Sequence, residues 1–347
     1  MMNISAQVLA AVLLAGGASA GEPAKAVQVY AHRGARAFAP ENTLAGFKIG
    51  LRIGTDWVDM DVVFTKDGEV LVSHDLLLNP NITRNAKGEF LPPDRDPREY
   101  AAKNLTLEEL QRFDVGRLNP NSAYAKFFPD QFPVDGTRMP TLREVVRYVN
   151  RAAHDKVGFE IEMKTDPLHP ERTPDPGTFA AALYKVMKEE GILGRAEIQA
   201  FDWRCLYELQ KLDEQVKTAY LSSRENEQGG AVSFFDPDPK RAGLWTGGKL
   251  VGDYGDSIPK MVHTLGGFAW EPEDATLTKE ALDEAHNLGL KVVVWSWPEK
   301  LKTAFDAKLV DKLITWGVDG IVTDDPGRLA SMLAARGLRV PERYPAE

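Results

Sequence analysis

Residues 57–74 read WVDMDVVFTKDGEVLVSH and contain two apolar runs with a turn between them. The segment between the runs 57–63 and 70–73 contains Thr65-Lys66-Asp67-Gly68, and an Asp-Gly pair between apolar runs is a strong β-hairpin signal. A turn centred on that pair would place Asp61 opposite His74. The stretch therefore predicts a strand that ends in a turn, followed by a second strand that pairs antiparallel with it.

Strand-like runs alternate with helix-like segments along the rest of the chain. The eight predicted strands are 28–32, 57–63, 158–163, 196–201, 217–222, 267–271, 291–296 and 319–323. Helix ends between them are marked by the capping box Thr141-x-x-Glu144 and by glycine stops such as Gly191. This α/β alternation predicts a (β/α)8 TIM-type barrel. A doubly wound sheet is the rival, but no GxGxxG follows the first strand.

The 347 residues carry a net charge of −9 and one cysteine, Cys205. No long basic run is present, so nucleic acid is not an expected partner. A single cysteine excludes an internal disulfide, and Cys205 lies in a helix-like run where a core position is expected. The length suits one large barrel domain and leaves the oligomeric state open.

The first 20 residues, MMNISAQVLAAVLLAGGASA, carry no charged side chain and end in a small-residue cleavage pattern. We therefore expect residues 1–20 to be a signal peptide and residues 21–347 to be the mature domain, periplasmic or secreted. An uncleaved anchor is the alternative, although the apolar run over 4–15 is short for a span of ~20 residues. No later segment predicts a membrane span.

Two segments are too long for simple strand-to-helix connections. Residues 76–140, rich in Pro and Asn, predict a small subdomain inserted after the hairpin. Residues 223–265 predict a long loop that contains Phe234, Phe235 and Trp245. Long insertions often act as lids or binding loops, and surface decoration is the alternative for 223–265.

Charged side chains alternate along two predicted strands, although a barrel interior is normally apolar. Asp59 and Asp61 share one face of their strand, and Glu160, Glu162 and Lys164 share one face of the next. Buried carboxylates need cationic partners or a metal, and carboxylates without cysteine suit Ca²⁺ or Mg²⁺. Ion pairing is the alternative that the spacing leaves open, and its candidate cations are Lys164, Arg33 and Arg84.

His32 ends the first predicted strand and His74 ends the hairpin. Both are therefore expected at the C-terminal rim, where barrel active sites lie. Two imidazoles can act as general base and general acid, and a metal beside Arg33 would meet a phosphate or another oxyanion. The pattern indicates acid–base chemistry on an anionic substrate.

An ordered set of short motifs, from about residue 28 to 328, resembles the glycerophosphodiester phosphodiesterase family. The motifs are His32-Arg33-Gly34, Pro40-Glu41-Asn42-Thr43, Asp59-x-Asp61-Val62, Thr65-Lys66-Asp67-Gly68, His74-Asp75, Glu162-Met163-Lys164, Ala200-Phe201-Asp202, Val294-Trp295 and the segment Gly317–Asp324. His-Arg-Gly alone would be a weak signal, whereas the ordered set covers essentially the whole mature chain.

The resemblance implies a TIM-type barrel with a subdomain inserted after the His-Asp motif. It implies a divalent cation held by Asp59, Asp61 and Glu162, with His32 and His74 as the acid–base pair. The remaining implied roles belong to substrate contacts: Arg33 as a phosphate ligand, Glu41 as a polar group of the site, Lys164 near the phosphate or orienting Glu162, and Phe201 and Trp295 as apolar walls.

Two positions depart from the family pattern. Asp59 stands where the family usually has Glu, so this shorter carboxylate would bind the metal through water or shift the metal preference. Ala200 stands where the family has Ser, which removes a hydroxyl contact. Neither change removes a group that the chemistry requires.

The resemblance implies metal-dependent hydrolysis of glycerophosphodiesters to glycerol 3-phosphate and an alcohol. One alternative is a related barrel phosphodiesterase that acts on lysophospholipids or phosphoinositides, which aromatic residues in 223–265 would favour. Another is a non-catalytic exported protein that binds phosphodiesters. The presence of both His32 and His74 counts against the last, because binding alone needs no acid–base pair.

Overall fold

The structure is a computed structural model, and it describes residues 26–223, 238–297 and 305–344. The predicted signal peptide, together with Phe234 and Phe235, lies outside these ranges.

Eight parallel strands close into a barrel, and a ninth forms the predicted hairpin. The strands are β1 (Gln28–Ala31), β2 (Trp57–Phe64), β3 (Val70–Val72), β4 (Gly158–Met163), β5 (Ala196–Ala200), β6 (Lys217–Ser222), β7 (Ala269–Pro272), β8 (Lys291–Val294) and β9 (Gly320–Thr323). Strand β1 pairs in parallel with both β2 and β9, which closes the sheet, and β3 pairs antiparallel with β2. The predicted TIM-type barrel is therefore confirmed.

A longer helix follows each barrel strand within the described ranges. These helices are α1 (Leu44–Ile53), α2 (Leu142–Ala153), α3 (Pro176–Glu189), α4 (Trp203–Leu212), α5 (Ile258–Thr264), α6 (Lys279–Asn287), α7 (Ala307–Trp316) and α8 (Pro326–Ala335). The predicted capping box at the start of α2 is present: the Thr141 hydroxyl accepts from the Glu144 amide, and the Glu144 carboxylate accepts from the Thr141 amide. Cys205 is fully buried in α4, as predicted for a core residue.

Short helical turns lie in the connections. They are Pro97–Tyr100, Leu107–Leu110 and Pro239–Ala242, with 3₁₀ turns at His32–Gly34, Ala102–Asn104, Tyr124–Phe127, Pro170–Arg172, Leu193–Arg195 and Val251–Tyr254. None of the helices in the described residues is long and apolar enough to cross a membrane.

The hairpin register differs by one residue from the prediction. Val62 pairs with Val72, and the Ser73 amide donates to the Asp61 carbonyl, so Asp61 lies opposite Ser73 rather than His74. The reason is the turn: three residues, not two, connect Thr65 to Glu69, and Gly68 closes the turn at φ +89°. A three-residue turn of this kind favours glycine at its last position, and it shifts the register by one.

The insertion 76–140 packs on the side of the hairpin that faces away from the barrel core. A separate apolar cluster holds it there, composed of Val63, Leu71, Leu78, Leu91, Ala102, Leu110, Val115 and Met139. The insertion thus has a small core of its own beside the C-terminal rim.

The segment 223–265, predicted as one long loop, contains a barrel helix. Ser257 caps α5, and Met261 and Val262 of this helix are buried. The prediction is therefore wrong for the end of the segment. A helix of seven residues spans less than two full turns, so its apolar periodicity is too short to recognise by sequence.

Two aromatic rings fill the lower part of the barrel. Tyr30 and Trp57 stack with their ring centroids 5.5 Å apart. Glycines leave room for both rings, because a Cβ at Gly158 would lie 2.2 Å from the Trp57 ring and one at Gly320 would lie 2.4 Å from the Tyr30 ring. The polar side chains nearer the C-terminal ends of the strands therefore lie above a packed floor.

Candidate active site

The predicted carboxylates come together because β2 and β4 are neighbours in the barrel. In the register of these strands Asp61 lies beside Glu162, and Asp59 lies beside Glu160 one level deeper. All four side chains belong to residues that are at least nine-tenths buried. The parallel register alone thus gathers four carboxylates on one side of the barrel interior.

Cationic and amide groups lie among these carboxylates. Lys164 Nζ is 2.8 Å from Glu162 Oε1 and 3.4 Å from Asp61 Oδ1, so the ammonium group bridges the two. Arg33 Nε lies 3.3 Å from Asp61 Oδ2, and the Asn42 amide donates to the same oxygen at 2.8 Å. Arg84, the third predicted cation, instead pairs with carboxylates of the insertion. The buried charges at the rim are therefore compensated locally.

The two aspartates have opposite pKa shifts. Burial would raise the pKa of Asp61, but Arg33, His74 and Lys164 together hold it well below its ordinary value. Burial raises the pKa of Asp59, and the charge of Asp61 adds to the rise. The charged form of Asp61 is thus stabilised by the three cationic groups around it.

Asp59 is already held by neighbours. Its Oδ1 accepts from the Arg33 amide at 3.0 Å, and its Oδ2 accepts from the Gln199 side chain at 2.8 Å. Asp59 also lies one level below Asp61, so the short side chain meets the deeper part of the site. A Glu at this position would extend one methylene further.

The donor set suits a hard divalent cation. Asp61 and Glu162 are neighbours, and the Lys164 ammonium lies between them and contacts both. A positive charge at this position is therefore stabilised by both carboxylates. Carboxylate oxygens are the ligands that Ca²⁺ and Mg²⁺ prefer. Among the described residues, one other carboxylate group is spaced more tightly than Asp59, Asp61 and Glu162, with its oxygens within 4.8 Å of one another.

That other group lies deeper in the barrel and consists of Glu160, Glu197 and Glu271. Its spacing could hold a metal ion. However, Lys291 Nζ already lies 2.8 and 2.9 Å from the two oxygens of Glu197. Burial raises the pKa of Glu271 to about 8, and burial with the charge of Glu271 raises that of Glu160. Lys291 therefore compensates part of this charge, while the oxygens of Glu160 and Glu271 have no hydrogen-bond partner among the described residues.

His32 is oriented by a buried carboxylate that directly follows the last strand of the barrel. Its Nδ1 lies 2.8 Å from Asp324 Oδ1. Arg36 binds the same carboxylate through Nε at 2.8 Å and Nη2 at 3.1 Å. Burial would raise the pKa of Asp324, but Arg36 and His32 hold it far below its ordinary value. Asp324 thus remains charged, and the Nδ1 contact leaves Nε2 of His32 for the substrate side.

His74 follows β3 and borders a cavity of about 290 Å³. Its Nδ1 lies 3.3 Å from Asp75 Oδ1, and its charge contributes to the low pKa of Asp61. The one-residue change in register therefore does not remove His74 from the carboxylates. Both predicted catalytic histidines lie at the C-terminal rim, where they were expected.

Glu41 joins the site to the insertion. Arg33 Nη1 donates to Glu41 Oε1 at 2.8 Å, and the Tyr124 hydroxyl donates to Glu41 Oε2. Tyr124 also accepts from Arg36 Nη1 at 2.8 Å. A continuous polar network therefore connects the insertion to Asp324 and hence to His32.

Arg36, Tyr124 and Asp324 were not predicted as site residues. Asp324 has a sequence signal, because it directly follows the last strand at the active rim and ends the motif segment Gly317–Asp324. Arg36 and Tyr124 carry no comparable signal, since neither lies at a strand end or in a recognised motif. Only the fold brings them together.

Aromatic side chains form one wall of the cavity. Phe201 lines it and packs edge-on against Trp295, with ring centroids 5.4 Å apart. Trp295 supports Phe201 and donates its indole N–H to the Glu271 carbonyl at 3.0 Å. Trp245 also lines the cavity and is largely buried.

A TIM-type barrel with two histidines, an arginine and a carboxylate cluster at its active rim belongs to the class of barrel hydrolases that act on anionic substrates. The chain belongs to the glycerophosphoryl diester phosphodiesterase family, whose model matches residues 32–328.

Known proteins of similar sequence and structure agree with this assignment. A Silicibacter pomeroyi protein assigned to the glycerophosphoryl diester phosphodiesterases is 30% identical, with a TM-score of 0.76 over 90% of this chain and 95% of that one. The glycerophosphodiester phosphodiesterase of Caldanaerobacter subterraneus subsp. tengcongensis is 27% identical over 311 residues, 89% of this chain and 98% of that protein. An Oleispira antarctica phosphodiesterase, in complex with the product sn-glycerol-3-phosphate, shares the fold at 20% identity and a TM-score of 0.61, covering 89% of this chain and 97% of that one.

Proposed function

We propose that this protein hydrolyses glycerophosphodiesters to glycerol 3-phosphate and an alcohol. Membership of the family and the names of its relatives support the glycerophosphodiester phosphodiesterase activity. The observation that carries the proposal is the position of Asp61 among Arg33, His74 and Lys164, at the rim that also holds His32. These cationic groups suit a phosphate monoanion, and the histidines suit proton transfer.

A divalent cation, Ca²⁺ or Mg²⁺, would be held by Asp61 and Glu162, with Asp59 contributing from the deeper level. The three buried carboxylates support this donor set, and so does the positive charge that Asp61 and Glu162 already share. When bound, the cation would neutralise charge on the phosphate. Arg33 adds a guanidinium to the same task, and Lys164 either approaches the phosphate or orients Glu162.

The two histidines divide the proton transfers. His32 has Nδ1 on Asp324, so its Nε2 accepts a proton from the nucleophile, which is water or the neighbouring glycerol hydroxyl. His74 borders the cavity, so it donates a proton to the leaving alcohol as the phosphorus–oxygen bond breaks. When the nucleophile is the glycerol hydroxyl, water then opens the cyclic phosphate. Phe201, supported by Trp295, provides an apolar wall beside the leaving group.

The test is a substrate assay with the purified protein. Glycerophosphocholine and lysophosphatidylcholine are incubated separately, and the expected result is release of glycerol 3-phosphate from the former. Binding without product would indicate the non-catalytic protein. Turnover of lysophosphatidylcholine without turnover of glycerophosphocholine would show that lysophospholipids, and not glycerophosphodiesters, are the substrates.

We also propose that the protein acts outside the cytoplasm, as the signal-like sequence of residues 1–20 supports. Cell fractionation followed by amino-terminal sequencing tests this. Processing after Ala20 is expected, and an intact Met1 in a cytoplasmic fraction would overturn the proposal.

A further inference from the structure

The cavity beside His74 has a second wall that the proposed chemistry does not use. One side is formed by the catalytic rim, with Glu162 and Lys164. Arg95 from the insertion and Arg172 from the connection after β4 also line the cavity. Two arginines therefore border the same cavity as the proposed general acid.

Arg95 has no carboxylate hydrogen-bonded to it among the described residues. Its terminal nitrogens donate to two backbone carbonyls, of Pro93 at 3.2 Å and of Leu77 at 3.1 Å. Its Nε is buried and has no hydrogen-bond partner. Burial lowers the pKa of Arg95, against the opposing charge of Asp75. The guanidinium is thus held in place by the backbone while its charge is poorly compensated.

Arg172 is in a similar position. Its Nε is buried without a hydrogen bond and lies 3.4 Å from Oε1 of Glu171, a carboxylate that is mostly exposed. The wall that carries Arg172 is fixed to the insertion, because Lys103 Nζ donates to the carbonyls of Pro170 at 3.4 Å and Thr173 at 3.0 Å. Both arginines therefore belong to one connected wall.

The carboxylates that line the cavity already have partners. Asp75 accepts from Asn79 at 2.9 Å and contacts His74. Asp166 lies 2.7 Å from His169 Nδ1, and Glu162 pairs with Lys164. Arg95, which donates to backbone carbonyls and to no carboxylate among the described residues, can therefore offer its positive charge to a ligand in this cavity.

The volume suits a small group. The cavity volume of about 290 Å³ is just below the range typical of small-molecule sites, ~300–1,000 Å³. A polar head group fits this range better than an acyl chain does.

We propose that this cavity binds the leaving alcohol of the diester, and that Arg95 and Arg172 favour alcohols with a second anionic group, a phosphate or a carboxylate. The inference rests on the proposed function. Guanidinium groups bind both anions through paired hydrogen bonds, and His74 at the same cavity would protonate the departing oxygen. The preferred substrates would thus be glycerophosphodiesters of anionic alcohols.

The experiment compares two substrates that differ by one phosphate: glycerophosphoinositol and glycerophosphoinositol 4-phosphate. We expect the wild-type protein to have a kcat/KM roughly 10- to 100-fold higher for the phosphorylated diester, since a charged hydrogen bond of this kind is of that magnitude. In the variant with both Arg95→Gln and Arg172→Gln, the ratio of the two kcat/KM values should fall towards one.

Arg98→Gln is the matched control. Arg98 lies in the same insertion, its side chain is 89% exposed, and it pairs with Asp96. The control should keep the wild-type ratio. Thermal melting checks that each variant is folded, and the Arg172→Gln variant alone decides the test if the double variant does not fold.

A wild-type ratio near one, or an unchanged ratio in the folded arginine variants, would overturn the inference. Absence of turnover on both diesters and on glycerophosphocholine would instead refute the proposed function. The two failures are therefore distinct.

Discussion

His32 depends on a carboxylate that lies far from it in the sequence. Asp324 orients its Nδ1, and Arg36 holds Asp324 with two hydrogen bonds. Such a carboxylate fixes the ring orientation and the nitrogen that faces the substrate. At the scale of single residues, the proposed base therefore owes its geometry to a buried ion pair.

The first prediction concerns the proposed acid–base pair. His32→Ala and His74→Ala should each lower kcat by about 10²- to 10⁴-fold, because each removes a positioned proton-transfer group. Glycerol 3-phosphate release measures the effect, and circular dichroism checks the fold. Normal activity in both variants would refute the assigned roles.

The second prediction concerns Asp324→Asn. Loss of the carboxylate leaves Arg36 buried without its counter-charge, so stability at pH 7 should fall by about 3–5 kcal/mol. The turnover number should also fall, because the amide cannot stabilise a charged imidazole. Urea unfolding and steady-state kinetics measure the two effects.

The pH dependence of that loss follows from the direction of the pKa shift. The pKa of Asp324 is depressed in the folded protein, so its contribution is present above the unfolded value of ~3.9 and is lost as the pH falls through the folded value. The gap in stability between wild type and variant should therefore narrow in acid. A constant gap down to the lowest pH at which both fold would contradict this account.

The insertion contributes to the site as well as to the surface. Its 3₁₀ turn Tyr124–Phe127 places the Tyr124 hydroxyl between Glu41 and Arg36. Arg36 also lies over the Phe128 ring, 4.6 Å from the centroid. At the scale of elements, a segment outside the barrel thus fixes two groups of the barrel rim.

The third prediction is that Tyr124→Phe reduces kcat/KM by roughly 5- to 10-fold and stability by about 1–2 kcal/mol, because two buried polar groups lose a partner. Kinetics and urea unfolding measure both. Tyr148→Phe is the control, since its hydroxyl has no hydrogen bond within the described part of the chain. Equal effects of the two substitutions would show that Tyr124 has no particular role.

Closure of the barrel creates the site at the scale of the whole molecule. β1 pairs with both β2 and β9, which places His32 between Asp59 on one side and Asp324 on the other. The carboxylates proposed to hold a cation come from β2 and β4, so a bound cation would connect neighbouring strands. Metal binding and barrel stability should therefore be linked.

The fourth prediction follows from this linkage. A chelator should abolish activity, and Ca²⁺ or Mg²⁺ should restore it while raising the melting temperature of the metal-free protein. Asp61→Asn with Glu162→Gln should remove the rise in melting temperature. Activity that resists chelation would refute the metal proposal, and an equal rise in the double variant would place the metal elsewhere.

The sequence by itself determined the barrel and the rim. Alternation of strands and helices is a local signal, and His32, His74, Asp61 and Glu162 stand at or beside strand ends, so their level in the barrel follows from the fold class. The turn at Gly68 was recognised, but its length, and so the register, was misjudged by one residue because the same dipeptide occurs in turns of two and three residues.

Only the tertiary structure decided which groups meet. His32 and Asp324 are 292 positions apart, and Tyr124 reaches Glu41 from a segment without periodicity. The same holds for Arg95 and Arg172, which share a cavity because the insertion is tied to a barrel connection by Lys103. The local sequence pattern predicts on which face of a strand or helix a side chain lies, whereas the partners of a buried charge depend on how distant elements pack.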